Sequence, residues 1–290
     1  MAGAAPTRST IVRRRLAALG ALLLVAVAAW LLLLGGGDTI SGRADAHGAD
    51  VSDVEVPSEA VDARQPVSVI VPQDAPEDGA PLLVFLHGRD GDEGTELGNE
   101  ALFATLDELG ERAPIVVLPD GGDSSYWHDR ANGDWATYVT REVIPIVAER
   151  FGADRRRVAI GGISMGGFGA LNLARLNPGR FCAVGGHSPA LWRTAGETAA
   201  GAFDDAEDFA ANDVIASVDE VPEAFTGQPV WLDIGESDPF LAGYEAMVTE
   251  LSDAGTLLTD HVWPGGHETS YWREHWPSYL RFYARALARC

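Results

Sequence analysis

Residues 158–170 read VAIGGISMGGFGA, and this stretch predicts the fold around it. An apolar run of strand length, 158–163, leads into the pattern G-x-S-x-G at 162–166, and a helical run follows at once. The flanking glycines permit a strained strand-to-helix turn, which exposes the serine hydroxyl at the end of a sheet. The N-terminus of the following helix stabilises negative charge that develops beside it. The stretch therefore predicts that Ser164 is a catalytic nucleophile on such a turn.

Apolar runs of strand length alternate with longer helical patterns on both sides of this stretch. Between the runs lie segments such as Trp135–Phe151, in which apolar side chains recur at helical spacing. This alternation predicts an α/β fold, with a mostly parallel central sheet and helices on both faces. The predicted strands are Val67–Val71, Leu82–Leu86, Ile115–Leu118, Val158–Ile163, Phe181–Val184, Val230–Ile234 and Leu257–Val262.

One segment, residues 194–228, interrupts the alternation. It is rich in Ala, Asp, Glu and Phe, it has no regular strand pattern, and no basic residue occurs between Arg193 and Arg273. Long insertions between sheet elements are commonly either functional or disordered. We interpret the segment either as a small acidic cap over a site or as a solvated helical excursion on the sheet rim.

A serine nucleophile requires a base and an acid that orients the base. His267 lies on a glycine-rich loop just past the last predicted strand, which is the position expected of the base. The turn after the strand Val230–Ile234 offers Asp238 as the acid, with Glu236 as the second candidate. Another histidine, His187, follows the nucleophile too soon to be the base.

The oxyanion hole requires two backbone donors. One predicted donor is the amide of Met165, the residue after the nucleophile. The other is the amide of Arg89, on the loop that directly follows the strand Leu82–Leu86. Three aromatic residues are candidates for lining an apolar or sugar-binding substrate groove, namely Tyr126, Trp127 and Trp272.

The chain resembles the esterase D-like branch of the α/β-hydrolases, which includes feruloyl esterases, S-formylglutathione hydrolases and mycolyltransferases. The resemblance covers roughly residues 65–285, and the run Ser-Met-Gly-Gly is its most specific part. The residues that carry it are Leu86-His87-Gly88, Pro119-Asp120-Gly121-Gly122, Trp135 with Tyr138 and Glu142, Gly162 to Ala170, Gly235-Glu236-Ser237-Asp238-Pro239, and Gly266-His267 with Tyr271-Trp272. The order Ser164, Asp238, His267 is also that of the α/β-hydrolases.

This resemblance implies ester hydrolysis or acyl transfer through an acyl-serine, with no cofactor. Mycolyltransferases typically use a glutamate as the acid, so the better-placed Asp238 favours a serine esterase that hydrolyses its ester. An acyltransferase that moves the acyl group to a sugar hydroxyl is the first alternative. The second is a non-catalytic surface-binding protein on a hydrolase fold, because a fold does not fix a function.

The composition of the chain limits the classes of molecule that it is expected to bind. The 43 acidic and 21 basic residues give a formal net charge of -22, which is the wrong sign for nucleic-acid binding. A metal site is not indicated, because His267-Glu268 lacks the second histidine of H-E-x-x-H. The expected partner is a small-molecule or cell-envelope ester, and the acidity should disfavour anionic substrates.

The N-terminus predicts a single membrane anchor. A basic tail, residues 1–15, precedes the uncharged apolar run 16–34, which as a helix of ~28 Å can span a bilayer. The positive-inside rule places everything after the anchor outside the cell. Residues 35–60 are predicted to be a flexible tether, and 61–290 the hydrolase domain. A cleaved signal peptide, which would give a secreted protein, is the alternative.

The two cysteines, Cys182 and Cys290, leave two interpretations open. An oxidising compartment would allow them to form one disulfide. A core thiol and a separate thiol at the terminus are equally compatible with the sequence.

Overall fold

The computed structural model describes residues 44–221 and 224–290. The predicted basic tail and membrane anchor, 1–15 and 16–34, lie outside the described residues. Within the described ranges, no helix is long and apolar enough to cross a membrane.

An eight-stranded sheet forms the centre of the described chain. Its strand order is β1-β2-β4-β3-β7-β8-β9-β10, and every neighbouring pair is parallel except β1 with β2 and β2 with β4. The strands are β1 (Asp50–Ser58), β2 (Ala63–Val71), β3 (Ala80–Leu86), β4 (Ile115–Pro119), β7 (Ala153–Ile163), β8 (Ala183–His187), β9 (Pro229–Gly235) and β10 (Leu257–Trp263), with a separate ribbon of β5 (Asp129–Arg130) and β6 (Gly133–Asp134). Each of the seven predicted strands overlaps an observed one, although β8 begins two residues later than the predicted strand Phe181–Val184 and continues to His187.

Helices cover both faces of the sheet, as the alternation predicted. One face carries α3, α4 and α7, and the other carries α1 and α8. The helices are α1 (Glu100–Leu109), α2 (Trp135–Thr137), α3 (Ile144–Arg150), α4 (Met165–Leu176), α5 (Ala206–Ala211), α6 (Ser217–Glu220), α7 (Leu241–Asp253) and α8 (Thr269–Leu287), and a π-helical turn, Tyr138–Val143, joins α2 to α3.

Strand β3 shows why the apolar runs become strands buried on both faces. Leu82, Val84 and Leu86 pack into one hydrophobic core, while Leu83 and Phe85 pack into the core on the opposite face. Alternate side chains of a strand point to opposite faces, so a continuous apolar run fits a sheet covered on both sides. Because the strands from β4 to β10 in this order are parallel, their carboxyl ends lie together at one edge of the sheet, where the site lies.

The predicted tether over 35–60 is wrong for residues 50–58, which form β1 and pair with β2. Val54 and Val56 are buried on this strand, while Asp53, Glu55 and Pro57 lie between and beside them. Alternation of this kind is typical of a strand with one buried face. Because the intervening residues are polar or proline, the segment has no apolar run, and the folded domain begins earlier than residue 61.

Segment 194–228 contains α5 and α6 and no strand in its described part. Arg130 binds Asp204 with an N···O distance of 2.6 Å, and the His128 imidazole lies 3.1 Å from Asp208. The Phe209 side chain of α5 is buried. The segment is thus packed against the β5–β6 ribbon and the residue that precedes it.

A disulfide joins Cys182, just before β8, to Cys290 after α8. This pairing decides between the two interpretations that the sequence left open. It closes a loop of sequence separation 108 and ties the C-terminus to the sheet.

Candidate active site

Ser164 stands on the strand-to-helix turn that the sequence predicted. Its φ of 55° lies in the left-handed region, which is uncommon for residues other than glycine and is typical of functional sites. The flanking glycines are required by close packing. A Cβ on Gly162 would lie 2.4 Å from the carbonyl carbon of Gly166, and one on Gly166 would lie 2.0 Å from the Leu86 carbonyl oxygen.

His267 and Asp238 meet Ser164 at the carboxyl edge of the sheet. The His267 Nε2 atom lies 2.8 Å from Ser164 Oγ, and its Nδ1 atom lies 2.8 Å from Asp238 Oδ2. The loops after β9 and β10 are joined by the Ser237 amide, which donates to the Gly265 carbonyl at 2.9 Å. The structure thus brings together all three residues of the predicted triad.

Asp238 rather than Glu236 contacts the histidine. Asp238 is buried and Glu236 is exposed. The second oxygen of Asp238, Oδ1, accepts from the Phe240 amide at 2.9 Å, so the carboxylate is held from two sides. This arrangement places the Nδ1 proton of His267 toward Asp238, and Nε2 is then the atom that can accept a proton from Ser164.

The loop after β3 lies against the nucleophile. A Cβ on Gly88 would be 3.5 Å from the Ser164 Cβ, so the predicted donor Arg89 belongs to a loop in contact with the turn. His87 fixes this loop because its Nε2 accepts from the Gly121 amide at 2.9 Å. The Met165 amide is the first of α4, and the first N–H groups of a helix have no partner within the helix.

The prediction that Trp127 lines the substrate groove is wrong. Its side chain is completely buried, and its Nε1 donates to the His87 carbonyl at 3.2 Å. Its side chain occupies space that Gly121 and Gly169 leave open, because a Cβ on Gly121 would lie 2.3 Å from the ring and one on Gly169 would lie 2.5 Å from the Trp127 Cβ. Trp127 therefore belongs to the hydrophobic core and supports the loop after β3 from there.

The structure places the other two predicted substrate residues differently from each other. Tyr126 is almost as buried as Trp127, at 3% exposed, and its ring packs against Phe168 and Trp192. Burial raises the pKa of the Tyr126 hydroxyl above its ordinary value. The half-buried Trp272 ring stands perpendicular to the His267 imidazole at a centroid distance of 5.0 Å.

Sequence reasoning missed a further aromatic contact of the histidine. The Phe240 ring lies 5.1 Å from the His267 imidazole, and the Trp192 ring lies 5.6 Å from Phe240. Phe240 follows the predicted Asp238-Pro239 directly, so its place in the same turn was the signal available. His267 is therefore flanked by the Phe240 and Trp272 rings.

Charged side chains surround this site unevenly. Glu236 and Glu268, which we call the acidic rim, are both exposed and lie within two residues of Asp238 and His267 respectively. The exposed Arg89 is on the opposite loop. Within residues 44–221 and 224–290, no group of three His, Cys, Asp or Glu side chains is arranged to hold a metal ion.

Comparison with known proteins identifies related sequences. The Esterase family model matches residues 58–283. An esterase of Mycobacterium tuberculosis is 29% identical over 249 residues, covering 69% of this chain and 52% of that protein. The S-formylglutathione hydrolase of Bos taurus is 27% identical over 145 residues, covering 42% of this chain and 50% of that enzyme. The chain thus spans about half the length of the curated relatives it matches.

Solved structures share the fold. A ferulic acid esterase superposes with a TM-score of 0.73 at 22% identity, over 83% of this chain and 98% of that one. An S-formylglutathione hydrolase from Agrobacterium tumefaciens gives 0.71 at 20% identity, over 85% and 99%. The MPT51 protein of Mycobacterium tuberculosis gives 0.66 at 18% identity, over 82% and 99%.

Proposed function

The chain belongs to the Esterase family, in the esterase D-like branch of the α/β-hydrolases, and on this premise we propose that it is a serine esterase. The proposed reaction is hydrolysis of a carboxylic ester through an acyl-serine intermediate. The observation that supports it most directly is the unbroken hydrogen-bond chain from Ser164 through His267 to Asp238.

The first half of the reaction forms the acyl-enzyme. Ser164 Oγ attacks the ester carbonyl carbon while His267 Nε2 takes the hydroxyl proton. Asp238 stabilises the resulting imidazolium through Nδ1. When the tetrahedral intermediate collapses, the bond to the alcohol oxygen breaks, and His267 returns the proton to the departing alcohol.

The second half repeats these steps with water. His267 Nε2 removes a proton from water, the hydroxyl oxygen attacks the acyl carbon, and the bond to Ser164 Oγ breaks as Oγ regains the proton. The products are the free acid and the regenerated serine. In both halves the amides of Met165 and Arg89 would stabilise the oxyanion, which is usually the largest electrostatic contribution in acyl transfer.

A small-molecule or cell-envelope ester is the proposed substrate class. The Phe240 and Trp272 rings beside His267 would suit an apolar group next to the scissile bond. Tyr126 remains a proposed substrate residue through its ring contacts with Phe168 and Trp192. Similar folds occur in proteins named ferulic acid esterase and S-formylglutathione hydrolase, which gives two ester classes to assay first.

Water rather than a sugar is the proposed acyl acceptor. The buried aspartate at the acid position lends no support to the mycolyltransferase alternative, for which a glutamate is typical. Incubation with an acyl donor plus trehalose or arabinose, followed by mass spectrometry, compares free acid with acylated sugar. We expect free acid to predominate, and a predominance of sugar ester would overturn the choice of water.

The enzyme is also proposed to act outside the cytoplasm. The basic tail and apolar run of the sequence support this location, as does the disulfide, because such bonds persist in oxidising compartments. Cell fractionation with N-terminal sequencing tests it. An intact N-terminus in the membrane fraction would support the anchor, and a soluble product that starts near His47 would support a cleaved signal peptide instead.

The decisive assay for the esterase proposal measures turnover of short-chain p-nitrophenyl esters by the purified full chain. Ser164→Ala should reduce the rate to near that of the uncatalysed reaction, because no nucleophile remains. Ser252→Ala, on the exposed side of α7, is the matched control and should retain full activity. Equal activity of the two variants would refute the assignment of Ser164.

A further inference from the structure

A buried carboxylate that the proposed reaction does not use lies beneath the site. Asp233, on β9, is completely buried and accepts hydrogen bonds from four side chains. Two reach Oδ1, from the His187 Nδ1 at 2.6 Å and the Trp231 Nε1 at 2.8 Å. Two reach Oδ2, from the hydroxyls of Tyr279 at 2.8 Å and Tyr271 at 3.0 Å.

The donors around this carboxylate are fixed in their roles. Burial, followed by the charge of Asp233, raises the pKa values of Tyr271 and Tyr279 above that of an ordinary tyrosine, so both hydroxyls keep their protons. Because an ionised carboxylate can only accept, His187 Nδ1 is the protonated atom toward Asp233, and the Tyr283 hydroxyl lies 2.8 Å from His187 Nε2. Every bond to Asp233 is therefore a donation to a carboxylate oxygen.

The strand that carries Asp233 contacts the nucleophile turn through one neighbouring strand. His187 pairs with Asp233 across β8 and β9, and the His187 carbonyl accepts the Ser164 amide at 3.0 Å. The Asp233 carbonyl itself accepts the Ser188 amide at 2.7 Å. The Asp233 carboxylate is thus linked to the backbone of Ser164 through His187.

Tyr271 connects the same carboxylate to the loop of the proposed base. It lies in the first turn of α8, and its ring packs so closely on Gly265 that an added Cβ there would be 2.8 Å from the ring. Gly265 precedes His267 by two residues, and its carbonyl accepts the Ser237 amide from the loop of Asp238. Tyr271 therefore touches the point where the two triad loops meet.

Stability alone is a weak explanation for this arrangement. A buried charge is costly even when paired, and apolar side chains of similar volume often serve a core equally well. What an apolar residue could not do is hold α8 in one orientation relative to β8 and β9. A carboxylate with four directed donors can do so.

We propose that Asp233 and Tyr271 are positioning residues, which hold the His267 loop in register with the strand ends that carry Ser164 and Asp238. This inference rests on the proposed esterase function, because positioning matters only if the triad reacts. Neither residue touches the reacting atoms.

Two matched variants test the inference, since Tyr271 and Tyr279 donate to the same oxygen of Asp233. Tyr271→Phe removes the donor that packs on the His267 loop, whereas Tyr279→Phe removes a donor two turns farther along α8. We expect Tyr271→Phe to lower kcat by about tenfold or more with KM changed by less than about twofold, because small misplacements of reacting groups are costly. Tyr279→Phe should change kcat by less than about twofold.

An independent readout is the nitrogen NMR spectrum of the His267 ring in the full chain, with thermal unfolding recorded for both variants. The His267 signals should shift in Tyr271→Phe and stay in place in Tyr279→Phe. Equal kcat losses, or unmoved His267 signals in both variants, would overturn the inference and leave the esterase proposal intact. A wild-type chain without esterase activity would instead refute the proposed function, while the His267 signals would still report on positioning.

Discussion

Replacing Asp238 by asparagine should nearly abolish turnover without unfolding the protein. In the wild type, Oδ1 accepts from the Phe240 amide at 2.9 Å and Oδ2 accepts from His267 Nδ1 at 2.8 Å. The asparagine oxygen is needed by the Phe240 amide, so its NH₂ group faces Nδ1. Nδ1 must then accept a hydrogen bond, which moves the imidazole proton to Nε2 and leaves no lone pair there for the Ser164 proton.

The size of the loss in kcat follows from two effects. The reactive tautomer of His267 is lost, and so is the Asp238 charge that stabilises the imidazolium. A loss of up to ~10⁴-fold in kcat is expected for this change, which corresponds to about 5 kcal/mol of transition-state stabilisation. Glu236→Gln is the control, because Glu236 is exposed in the same turn, and it should cost less than about twofold. Steady-state kinetics with a p-nitrophenyl ester and circular dichroism of both variants measure these effects. The reverse ranking, with Glu236→Gln the more damaging, would transfer the role of the acid to Glu236.

We expect three further outcomes from the packing of Gly166, the disulfide and the charge of the acidic rim. Gly166→Ala should destabilise the protein by about 1–3 kcal/mol in thermal unfolding and remove activity, because the new Cβ would meet the Leu86 carbonyl, whereas Gly196→Ala should have little effect. Replacing Cys182 and Cys290 by serine should cost about 3–5 kcal/mol in denaturant unfolding, given the sequence separation of 108. Neutral esters should be cleaved several-fold faster than anionic analogues, with the difference shrinking at high salt because of the acidic rim.

Local patterns and chain order were sufficient to predict seven of the eight strands of the central sheet and the three residues that meet at its edge. The stretch 158–170 has an apolar strand, a glycine-flanked serine and a helix within a few residues, so short-range sterics alone require the turn. Asp238 and His267 were predicted from chain order, since each follows a strand of a parallel sheet whose carboxyl ends meet at one edge. Strand β1 was not predicted because its buried valines are separated by polar residues.

Contacts between distant segments were not predictable from local patterns. Trp127 was a candidate for the substrate groove because it is aromatic, but its burial depends on Gly121 and on Gly169, which lies on another element. Asp233 had one local signal, a single acid inside the apolar strand Val230–Ile234. Its four donors come from β8, β9 and α8, so only the folded chain assembles the network.

The most direct test of Ser164 as the nucleophile is its covalent capture. A fluorophosphonate probe is incubated with the wild-type chain and with Ser164→Ala, and intact-protein and peptide mass spectrometry locate the adduct. We predict one adduct on Ser164 in the wild type and none in the variant, which should remain folded by circular dichroism. Labelling that persists in Ser164→Ala, or a folded wild type that is never labelled, would contradict this prediction.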